Sequence, residues 1–406
     1  MIQWENTRFF KMKRVILVLL LVILLGGASW AGYFFWNNLR GAGPAFKAPP
    51  ENITELIEGA GENKTEFPLS LPGGFEMSVF AKDLPGARVI VQDGLGNFWV
   101  SQPSQGIVSH LEVDNEGAVV KTSQPFRGLK RPHGLAIDPQ NGTLLYIAEE
   151  DKISRASLYS EAAPETLVNL PSGGGHFTRT LGFGPDDRLY VSIGSSCNVC
   201  VESDERRAAI YSMNRDGSDL KKHADGLRNA VFFTWSYVDG AMWATEMGRD
   251  HLGDDLPPDE INIVQEGAHY GWPYCYGKQI RDTSFMSFSG FDCSGTEPSY
   301  IDLQAHSAPL GLAFVPEEGW PEAMWYDLLV AYHGSWNRTS PTGYKIVRFI
   351  LDENGKVEGM EDFVSGWLTS EGALGRPVGI TVSPGGIMYV TDDHAGVVYK
   401  IIYKLQ

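Results

Sequence analysis

The chain has 406 residues, of which 43% are hydrophobic and 12% aromatic, enough to bury a large core. Acidic residues outnumber basic ones by 50 to 33, and the formal net charge is −17 at pH 7. This charge excludes the usual nucleic-acid binders, because phosphate binding needs clustered Lys and Arg. A small neutral or weakly charged substrate fits it better.

An uncharged apolar stretch, residues 15–36, lies near the N-terminus and is long enough to cross a bilayer. Four basic residues precede it: Arg8, Lys11, Lys13 and Arg14. We therefore expect residues 1–40 to form a basic cytoplasmic stub and a transmembrane signal anchor, with the following chain on the periplasmic or extracellular side. A cleaved signal peptide is the alternative, but the apolar run continues past the poor cleavage site at residues 29–31.

Residues 41–74 are rich in Pro, Gly, Asn and Glu. This composition predicts a linker that contains one short helix at residues 52–59.

Six stretches then share one pattern, in which apolar residues and a Gly-containing turn lead into a β-rich run. They begin at Arg88, Arg131, His176, Arg228, Ala308 and Arg376. Each predicts a β-hairpin, and further strand-rich segments follow most of them, so that each unit makes a four-stranded sheet. Recurrence at roughly 40 to 50 residues or more is typical of propeller blades.

The sequence therefore predicts an all-β fold, a six-bladed β-propeller over residues 75–406. A spare strand that begins at Phe75 is expected to complete the last blade and close the ring. A β-sandwich is the alternative, although no sandwich needs six copies of one unit.

Four cysteines in an exported domain favour disulfides, and four allow three pairings. The local choice pairs Cys197 with Cys200 and Cys275 with Cys293. A zinc site at Cys197 and Cys200 is the alternative, but it needs a second pair of ligands nearby.

His176 follows three glycines and is predicted to open the innermost strand of the third blade, facing the central channel. A histidine there can accept a proton near neutral pH. The competing interpretation is a histidine that only satisfies a loop carbonyl. His133 has the same repeat position in the second blade, where it would either line the channel or fill a gap between blades.

Arg228 and Asn229 are predicted to start the innermost strand of the fourth blade, and Arg376 that of the sixth. A guanidinium beside a carboxamide can hold a planar anion with several oxygens. Two arginines at one channel mouth of an acidic protein indicate an anionic ligand. An ion pair between blades and a turn cap would explain Arg228 and Asn229 equally.

The loop at residues 246–260 carries six carboxylates: Glu246, Asp250, Asp254, Asp255, Asp259 and Glu260. Hard oxygen ligands at this density suit Ca²⁺. A solvated acidic loop explains the carboxylates alone about as well.

The motifs LRNAV, WATEMGRD, LGDDLPPDEIN, YGWPYCYG, AHSAPLGLAF, HGSWNR and GRPVGITVSP together resemble the soluble-type sugar dehydrogenases that use pyrroloquinoline quinone (PQQ). This family includes glucose, sorbosone and aldose sugar dehydrogenases. The resemblance runs from about Phe75 to the C-terminus. It implies a six-bladed propeller with PQQ across the channel mouth and Ca²⁺ beside it.

By the same resemblance, His176 matches the general base and Arg228 the arginine that polarises the quinone oxygen. The resemblance implies cofactor binding by Arg228, Asn229, Arg376 and Asn337, and binding of Ca²⁺ by main-chain carbonyls of Gly248 and Arg249. Cofactor binding is also expected of His133, from its repeat position. The chain departs from glucose-active members, which carry an acidic residue near Ser195 and Ser196, and Asn337 replaces a cofactor-binding lysine.

We therefore expect a membrane-tethered, PQQ- and Ca²⁺-dependent enzyme that oxidises aldose sugars or related alcohols and passes electrons to an external acceptor, a quinone or a cytochrome. The second hypothesis is a non-catalytic extracellular propeller that binds a glycan or protein partner. The third, a metal-dependent lactonase, would need carboxylates that converge in the channel.

Overall fold

The computed structural model describes residues 2–41, 43–46, 61–158, 160 and 162–404. An α-helix, Ile2–Phe34, continues into a π-helical turn, Phe35–Leu39, and a short helix, Gly43–Phe46, follows. In the described part of the chain, the segment Arg14–Leu39 is the one helix long and apolar enough to cross a membrane. The helix predicted at residues 52–59 lies outside the described residues.

Six sheets form the blades, each with four antiparallel strands, and the six-bladed β-propeller is confirmed. From the inner to the outer strand, blades 1 to 3 are Ile90–Gln92, Phe98–Gln102, Ile107–Val113 and Val119–Arg127; Gly134–Ile137, Leu144–Ala148, Lys152–Ser157 and Glu165–Asn169; and Leu181–Phe183, Leu189–Ile193, Ala209–Met213 and Lys221–Asp225. Blades 4 to 6 are Ala230–Trp235, Met242–Glu246, Asp259–Val264 and Ile301–Leu303; Pro309–Phe314, Leu328–Tyr332, Lys345–Leu351 and Val357–Val364; and Pro377–Val382, Met388–Asp392, Val397–Tyr403 and Phe75–Ala81.

Two short ribbons and four 3₁₀ turns decorate the blades in the residues described. They are Cys275–Tyr276 with Ile280–Arg281, Leu368–Thr369 with Gly372–Ala373, and the turns Pro103–Gln105, Thr283–Phe285, Cys293–Gly295 and Glu322–Met324.

The spare strand closes the ring as predicted. Phe75–Ala81 pairs antiparallel with Val397–Tyr403, with Phe75 opposite Tyr403. The propeller begins earlier than the predicted boundary at residue 75, because Glu62–Asn63 adds a parallel strand and Leu69 and Leu71 are buried in the same core as Phe75. Burial of these apolar side chains is favourable, so the C-terminal part of the expected linker packs on the last blade.

Glycines in the inner strands let neighbouring blades approach closely around the channel. A Cβ on Gly134 would lie 2.2 Å from the carbonyl oxygen of Arg179, and one on Gly311 would lie 2.4 Å from that of Val378. Blade 4 has Phe232 at the corresponding repeat position, and this buried ring packs 5.6 Å from the ring of His133. Blade 4 therefore fills this position with a buried aromatic ring instead of a close backbone approach.

Strand direction decides which loops can meet. Residues that precede each inner strand, and the loops between the second and third strands, all lie at one end of the channel, because successive strands run in opposite directions. We call this end the upper face. The turns between first and second strands lie at the other end, the lower face.

Candidate functional site

His176 lies at the upper face, in the loop that leads to blade 3. It does not open the inner strand as predicted, because that strand starts only at Leu181. The chain reaches His176 through Gly173 and Gly174, whose φ angles are +80° and +89°. Its Nδ1 is 3.0 Å from the carbonyl oxygen of Ser195 and 2.8 Å from that residue's Oγ, which itself donates to the carbonyl of Cys197. Both partners accept, so Nδ1 carries the proton and Nε2 is left as the basic atom.

The environment keeps the His176 imidazole neutral. Burial, followed by the positive charge of Arg228, lowers its pKa to about 3. The ring is therefore in its unprotonated form, the form that a general base requires, over the whole physiological pH range.

Gly194 lets both His176 and Asn229 pack closely against its backbone. A Cβ on Gly194 would lie 2.5 Å from the Asn229 Oδ1 and 2.7 Å from the His176 Cβ. The Asn229 Oδ1 also accepts a hydrogen bond from Thr178 Oγ1, 3.1 Å away, and its main-chain N–H donates to Glu246 at 3.0 Å. The ends of blades 3 and 4 are thus locked together around the imidazole.

Arg228 is buried, and protein oxygens use most of its donors. Nε and Nη2 each donate to Asn198 at 2.9 Å, to the carbonyl and the side-chain oxygen, and Nη1 donates to the carbonyls of Met247 and Gly248 at 3.0 Å. Asp250 lies 3.5 Å from Nη2. The guanidinium is therefore held rigidly, and burial lowers its pKa from the usual value.

Asn337, from blade 5, joins this cluster through Asp250. Its Nδ2 donates to the Asp250 Oδ1 at 2.9 Å, and the Asp250 main-chain N–H donates to the Asn198 Oδ1 at 2.8 Å. The Asn337 side chain is 1% exposed, and its Oδ1 has no hydrogen-bond partner among the described residues. Arg228, Asp250, Asn198 and Asn337 form what we call the arginine–aspartate cluster.

The predicted calcium segment lies directly beside Arg228. The Gly248 carbonyl already accepts a hydrogen bond from Arg228, while the Gly248 N–H donates to the Asp259 Oδ1 at 2.9 Å. The Arg249 side chain turns away to Asp282, with an N–O distance of 2.9 Å. Two hydrogen bonds of Gly248 and the ion pair of Arg249 therefore hold the backbone whose carbonyls would face a cation.

Three buried carboxylates surround this segment. Burial raises the pKa of Asp259 to about 6 and that of Glu260 to about 7, and it raises the pKa of Glu246 well above its usual value. Oε2 of Glu246 has no hydrogen-bond partner in the described structure. Such oxygens suit a hard cation, although the sequence predicted them as one acidic loop and not as a buried group.

Arg376 belongs to a second cluster on the other side of the channel. Its Nε donates to the His333 carbonyl at 3.0 Å, and the His333 Nε2 is 2.8 Å from Asp393. Arg88 Nη1 reaches the other oxygen of Asp393 at 2.9 Å. We call Arg88, His333, Arg376 and Asp393 the Asp393 cluster. The sequence interpretation missed Arg88, although it opens its repeat just as Arg228 and Arg376 open theirs.

The two clusters share the upper face but do not touch. The arginine–aspartate cluster comes from blades 3 to 5, and the Asp393 cluster from blades 5, 6 and 1. No hydrogen bond or ion pair between described residues joins them. The channel mouth therefore separates two sets of positively charged groups.

His133 is not brought into either cluster. It is fully buried, with the rings of Phe232 and Phe177 5.6 and 6.3 Å away, and its Nε2 lacks a hydrogen-bond partner among the residues that the structure describes. The pKa of His133 is well below its usual value, mainly because the ring is buried. The structure favours the second of the predicted alternatives, a histidine that fills a gap between blades.

Both predicted disulfides are confirmed, with Cα–Cα distances of 6.2 Å for Cys197–Cys200 and 5.9 Å for Cys275–Cys293. The zinc alternative is wrong, because both thiols of the first pair are used in the disulfide. This disulfide also closes the loop that presents Asn198 to Arg228.

A carboxylate does lie beside Ser196, although no acidic residue neighbours it in the sequence. Glu202 folds back and accepts hydrogen bonds from the Ser196 N–H at 2.6 Å and from its Oγ at 2.8 Å. The Ser196 carbonyl in turn accepts from the N–H of Gly175, next to His176. The loop conformation, which the sequence does not reveal, supplies this charge.

The chain is similar to a known protein family and to several known proteins. The family model described as TrAA12-like matches residues 69–404. An uncharacterized protein of Borreliella burgdorferi is 30% identical over 356 residues, 83% of this chain and 91% of that protein. A pyrroloquinoline quinone-dependent pyranose dehydrogenase of Coprinopsis cinerea is 24% identical over 339 residues, 71% of this chain and 45% of that protein.

Among solved structures, the holo form of the pyranose dehydrogenase PQQ domain from Coprinopsis cinerea has a similar fold. Its TM-score is 0.70 at 21% identity, over 86% of this chain and 100% of that one. The chain belongs to the TrAA12-like family of PQQ-dependent oxidoreductases, and the resemblance drawn from its motifs is confirmed.

Proposed function

We propose that this chain oxidises aldose sugars or related alcohols with PQQ and Ca²⁺, and that His176 is the general base. One observation supports this above the others. The unprotonated Nε2 of His176 lies at the mouth of the channel beside the buried cation Arg228, in a chain of the TrAA12-like family.

The residues present fit an anionic quinone. PQQ carries carboxylates, and the Asp393 cluster offers two guanidinium groups against one carboxylate. The Arg88 Nε is buried and has no hydrogen-bond partner in the described part of the chain. Arg88 and Arg376 would hold the carboxylate side, and Arg228 with Asn229 would hold the other side.

When bound, PQQ would supply the acceptor for the hydride that leaves the sugar carbon. The protein's own task is then to remove the hydroxyl proton and to stabilise negative charge. The His176 Nε2 takes the proton, and the Nδ1–H bond to Ser195 holds the ring in the tautomer that makes this possible. The fixed positive charge of Arg228 favours developing negative charge in the buried site.

The calcium site we propose uses the main-chain carbonyls of Gly248 and Arg249. The raised pKa values of Asp259 and Glu260 show that ionising these carboxylates is costly in the protein alone. A divalent cation nearby would reverse that preference. The carboxylates are thus available to support the ion electrostatically.

We further propose that the apolar helix is an uncleaved anchor and that the propeller lies on the periplasmic or extracellular side. The basic residues before the span support this orientation, and both disulfides suit an oxidising compartment. The sugar is the small-molecule partner, and an external acceptor takes the electrons.

The test uses the purified full chain in detergent. PQQ is titrated in the presence of Ca²⁺ while the absorbance spectrum is recorded, and reduction of an artificial acceptor is then followed across a panel of sugars. We expect saturable PQQ binding and turnover with at least one aldose. Absence of PQQ binding at micromolar concentration would refute the proposal.

His176→Asn separates catalysis from binding, because the asparagine amide can still donate to Ser195 but cannot act as a base. We expect kcat to fall by about 10²- to 10⁴-fold while PQQ binding is retained. His110→Asn, in the third strand of blade 1, is the matched control and should leave kcat unchanged. Equal kcat in both variants would show that the base is another group.

The alternative, a non-catalytic propeller that binds a glycan or protein, makes the opposite prediction. Such a protein would bind its ligand equally well with and without the His176→Asn substitution and would show no turnover with any sugar. The match to enzymes of known class gives this alternative no specific support.

A further inference from the structure

The membrane-spanning helix ends close to the candidate site. Residues 15–34 number twenty. At about 1.5 Å per residue a helix of this length spans about 30 Å, the thickness of the hydrocarbon core. Trp30, Tyr33 and Trp36 are exposed around this end, where aromatic residues favour the membrane interface. A span that begins at Val15 would therefore reach the lipid headgroups near Phe34, within the apolar segment Arg14–Leu39.

Phe34 also contacts the propeller. Its ring lies 5.1 Å from the ring of His251, which in turn lies edge-on to Trp336 at 6.4 Å. His251 and Trp336 directly follow and precede Asp250 and Asn337, two members of the arginine–aspartate cluster. Phe34 thus contacts the sequence neighbour of Asp250 directly and reaches the sequence neighbour of Asn337 through the His251 ring.

The chain beyond the span stays on the same surface. Gly41 is buried against the main chain of Arg338, where a Cβ would collide with the Arg338 carbonyl oxygen. Ala45 is buried, and its short helix packs against Gly372–Ala373. With the helix end held in this way, the upper face of the propeller is kept close to the bilayer surface.

Exposed apolar side chains surround the same face. Val201 and Leu256 lie in loops between second and third strands. Ile280, Met286 and Phe288 lie in the long connection between the third and fourth strands of blade 4. This connection leaves from the lower face but returns to the upper one, where the Gly277 N–H donates to Glu260 at the start of the third strand. Arg249 ties the loop that carries Met286 to the site through Asp282 and Ser284, at 2.9 and 2.8 Å. Tyr237 and Val238 are equally exposed on the lower face, so exposure alone does not select a surface, whereas the contact with Phe34 does.

We infer that the upper face lies against the bilayer and that the site delivers its electrons to a lipid-soluble quinone. The second half of this inference rests on the proposed function. Oxidation of one sugar CH–OH to the carbonyl releases two electrons and two protons, and one quinone that takes up both becomes the quinol. A channel mouth at headgroup depth exposes the site to such an acceptor within the membrane.

The test places fluorescent labels on the two faces of the full chain in liposomes. All four native cysteines are in disulfides, so a label attaches selectively to an introduced Met286→Cys on the upper face or Val238→Cys on the lower face. Lipids that carry a spin label at the headgroup should quench the fluorescence at position 286 strongly and that at position 238 weakly. Equal quenching, reversed quenching or none at 286 would overturn the inferred orientation.

A long-chain isoprenoid quinone added to the same liposomes gives a readout independent of turnover, because quinones quench fluorescence on contact. Quenching at 286 but not at 238 is expected, and its absence would overturn the inferred access to a membrane quinone. With PQQ, Ca²⁺ and a sugar present, quinol should form. If a soluble dye is reduced and no quinol appears, the acceptor is wrong and the proposed function stands; if neither reacts, the proposed function fails while the quenching still decides the orientation.

Discussion

Single atoms decide the geometry around His176. Gly194 lies between His176 and Asn229 with no room for a methyl group, since an added Cβ would approach both residues to less than 3 Å. His176 is hydrogen-bonded to Ser195, and Asn229 to Thr178. Neither side chain can therefore move away from Gly194 without breaking one of these hydrogen bonds. The position of the proposed base, His176, therefore depends on a glycine that has no side chain to take part in the chemistry.

Gly194→Ala should consequently lower kcat while the propeller remains folded. Overpacking at a tight contact typically costs about 1–3 kcal/mol of stability, and displacement of His176 adds a loss of activity. Gly295→Ala is the matched control, because nothing lies within 4 Å of a Cβ at that position. Thermal unfolding and dye reduction measure the two effects. Unchanged kcat in Gly194→Ala would show that the contact does not position the proposed base.

The protonation state of His176 can be observed directly. Its pKa is lowered to about 3 in the folded chain, against an ordinary value of about 6.5. Nitrogen NMR of the histidines at pH 5 to 7 should show a neutral ring protonated at Nδ1, assigned by the signal that His176→Asn removes. A signal that titrates near pH 6.5 would contradict this expectation.

The same pKa shift has a consequence for stability. As the pH falls from about 6.5 to about 3, the unfolded chain binds a proton at this histidine and the folded chain does not, so acid lowers the free energy of unfolding. His176→Asn should therefore lose less stability than the natural chain between pH 7 and pH 4. An equal loss would show that the ring is protonated while folded.

At the level of elements, the third strand of blade 4 carries a strained electrostatic arrangement. Glu260 accepts hydrogen bonds from the Gly277 N–H at 2.6 Å and the Asn262 Nδ2 at 3.0 Å, yet burial raises its pKa to about 7. Between pH 4.5 and 7 the folded state retains a proton that the unfolded state has lost. Stability therefore falls as the pH rises through this window.

Glu260→Gln should relieve this cost without losing hydrogen bonds. The Asn262 Oδ1 has no partner among the described residues, so a flip of the Asn262 amide lets it accept from the new glutamine. In buffer that contains a chelator of divalent cations, we expect the melting temperature of the variant at pH 8 to exceed that of the natural chain. The difference in melting temperature should shrink towards pH 4.5. Exposed Glu353→Gln is the control. A variant less stable at every pH would indicate that the carboxylate is stabilising as an ion.

The strands were predictable from the sequence, whereas much of the site was not. Alternating apolar residues and turn glycines act locally, so they determine the hairpins. The strand at Phe75 has no hairpin partner of its own, so in a closed ring it can only complete the last blade. Arg88 and Asp393 are 305 residues apart, and the fold of the loop sets the contact of Glu202 with Ser196. No local pattern encodes either of these contacts. Leu69 and Leu71 were missed because two apolar residues in a polar stretch are too few to show a period.

At the scale of the molecule, one N-terminal strand holds the ring closed. Phe75 is 2% exposed and contacts the rings of Trp320 and Phe363 at 5.1 Å and that of Tyr403 at 5.0 Å. Trp320 and Phe363 belong to blade 5, while Tyr403 belongs to blade 6. This single side chain therefore fills the seam between the two blades and secures the strand that completes the last one.

Phe75→Ala should weaken the ring at that seam. Truncation of a buried Phe costs about 3–5 kcal/mol, and Phe349→Ala, in the interior of blade 5 at 1% exposure, should cost a similar amount. The two variants differ in where the structure loosens. Hydrogen exchange should accelerate in Val397–Tyr403 and Phe75–Ala81 for Phe75→Ala, because the closing strand loses its anchor, but remain slow there for Phe349→Ala. The same exchange pattern in both would mean that the blades unfold as one unit and that closure has no separate role.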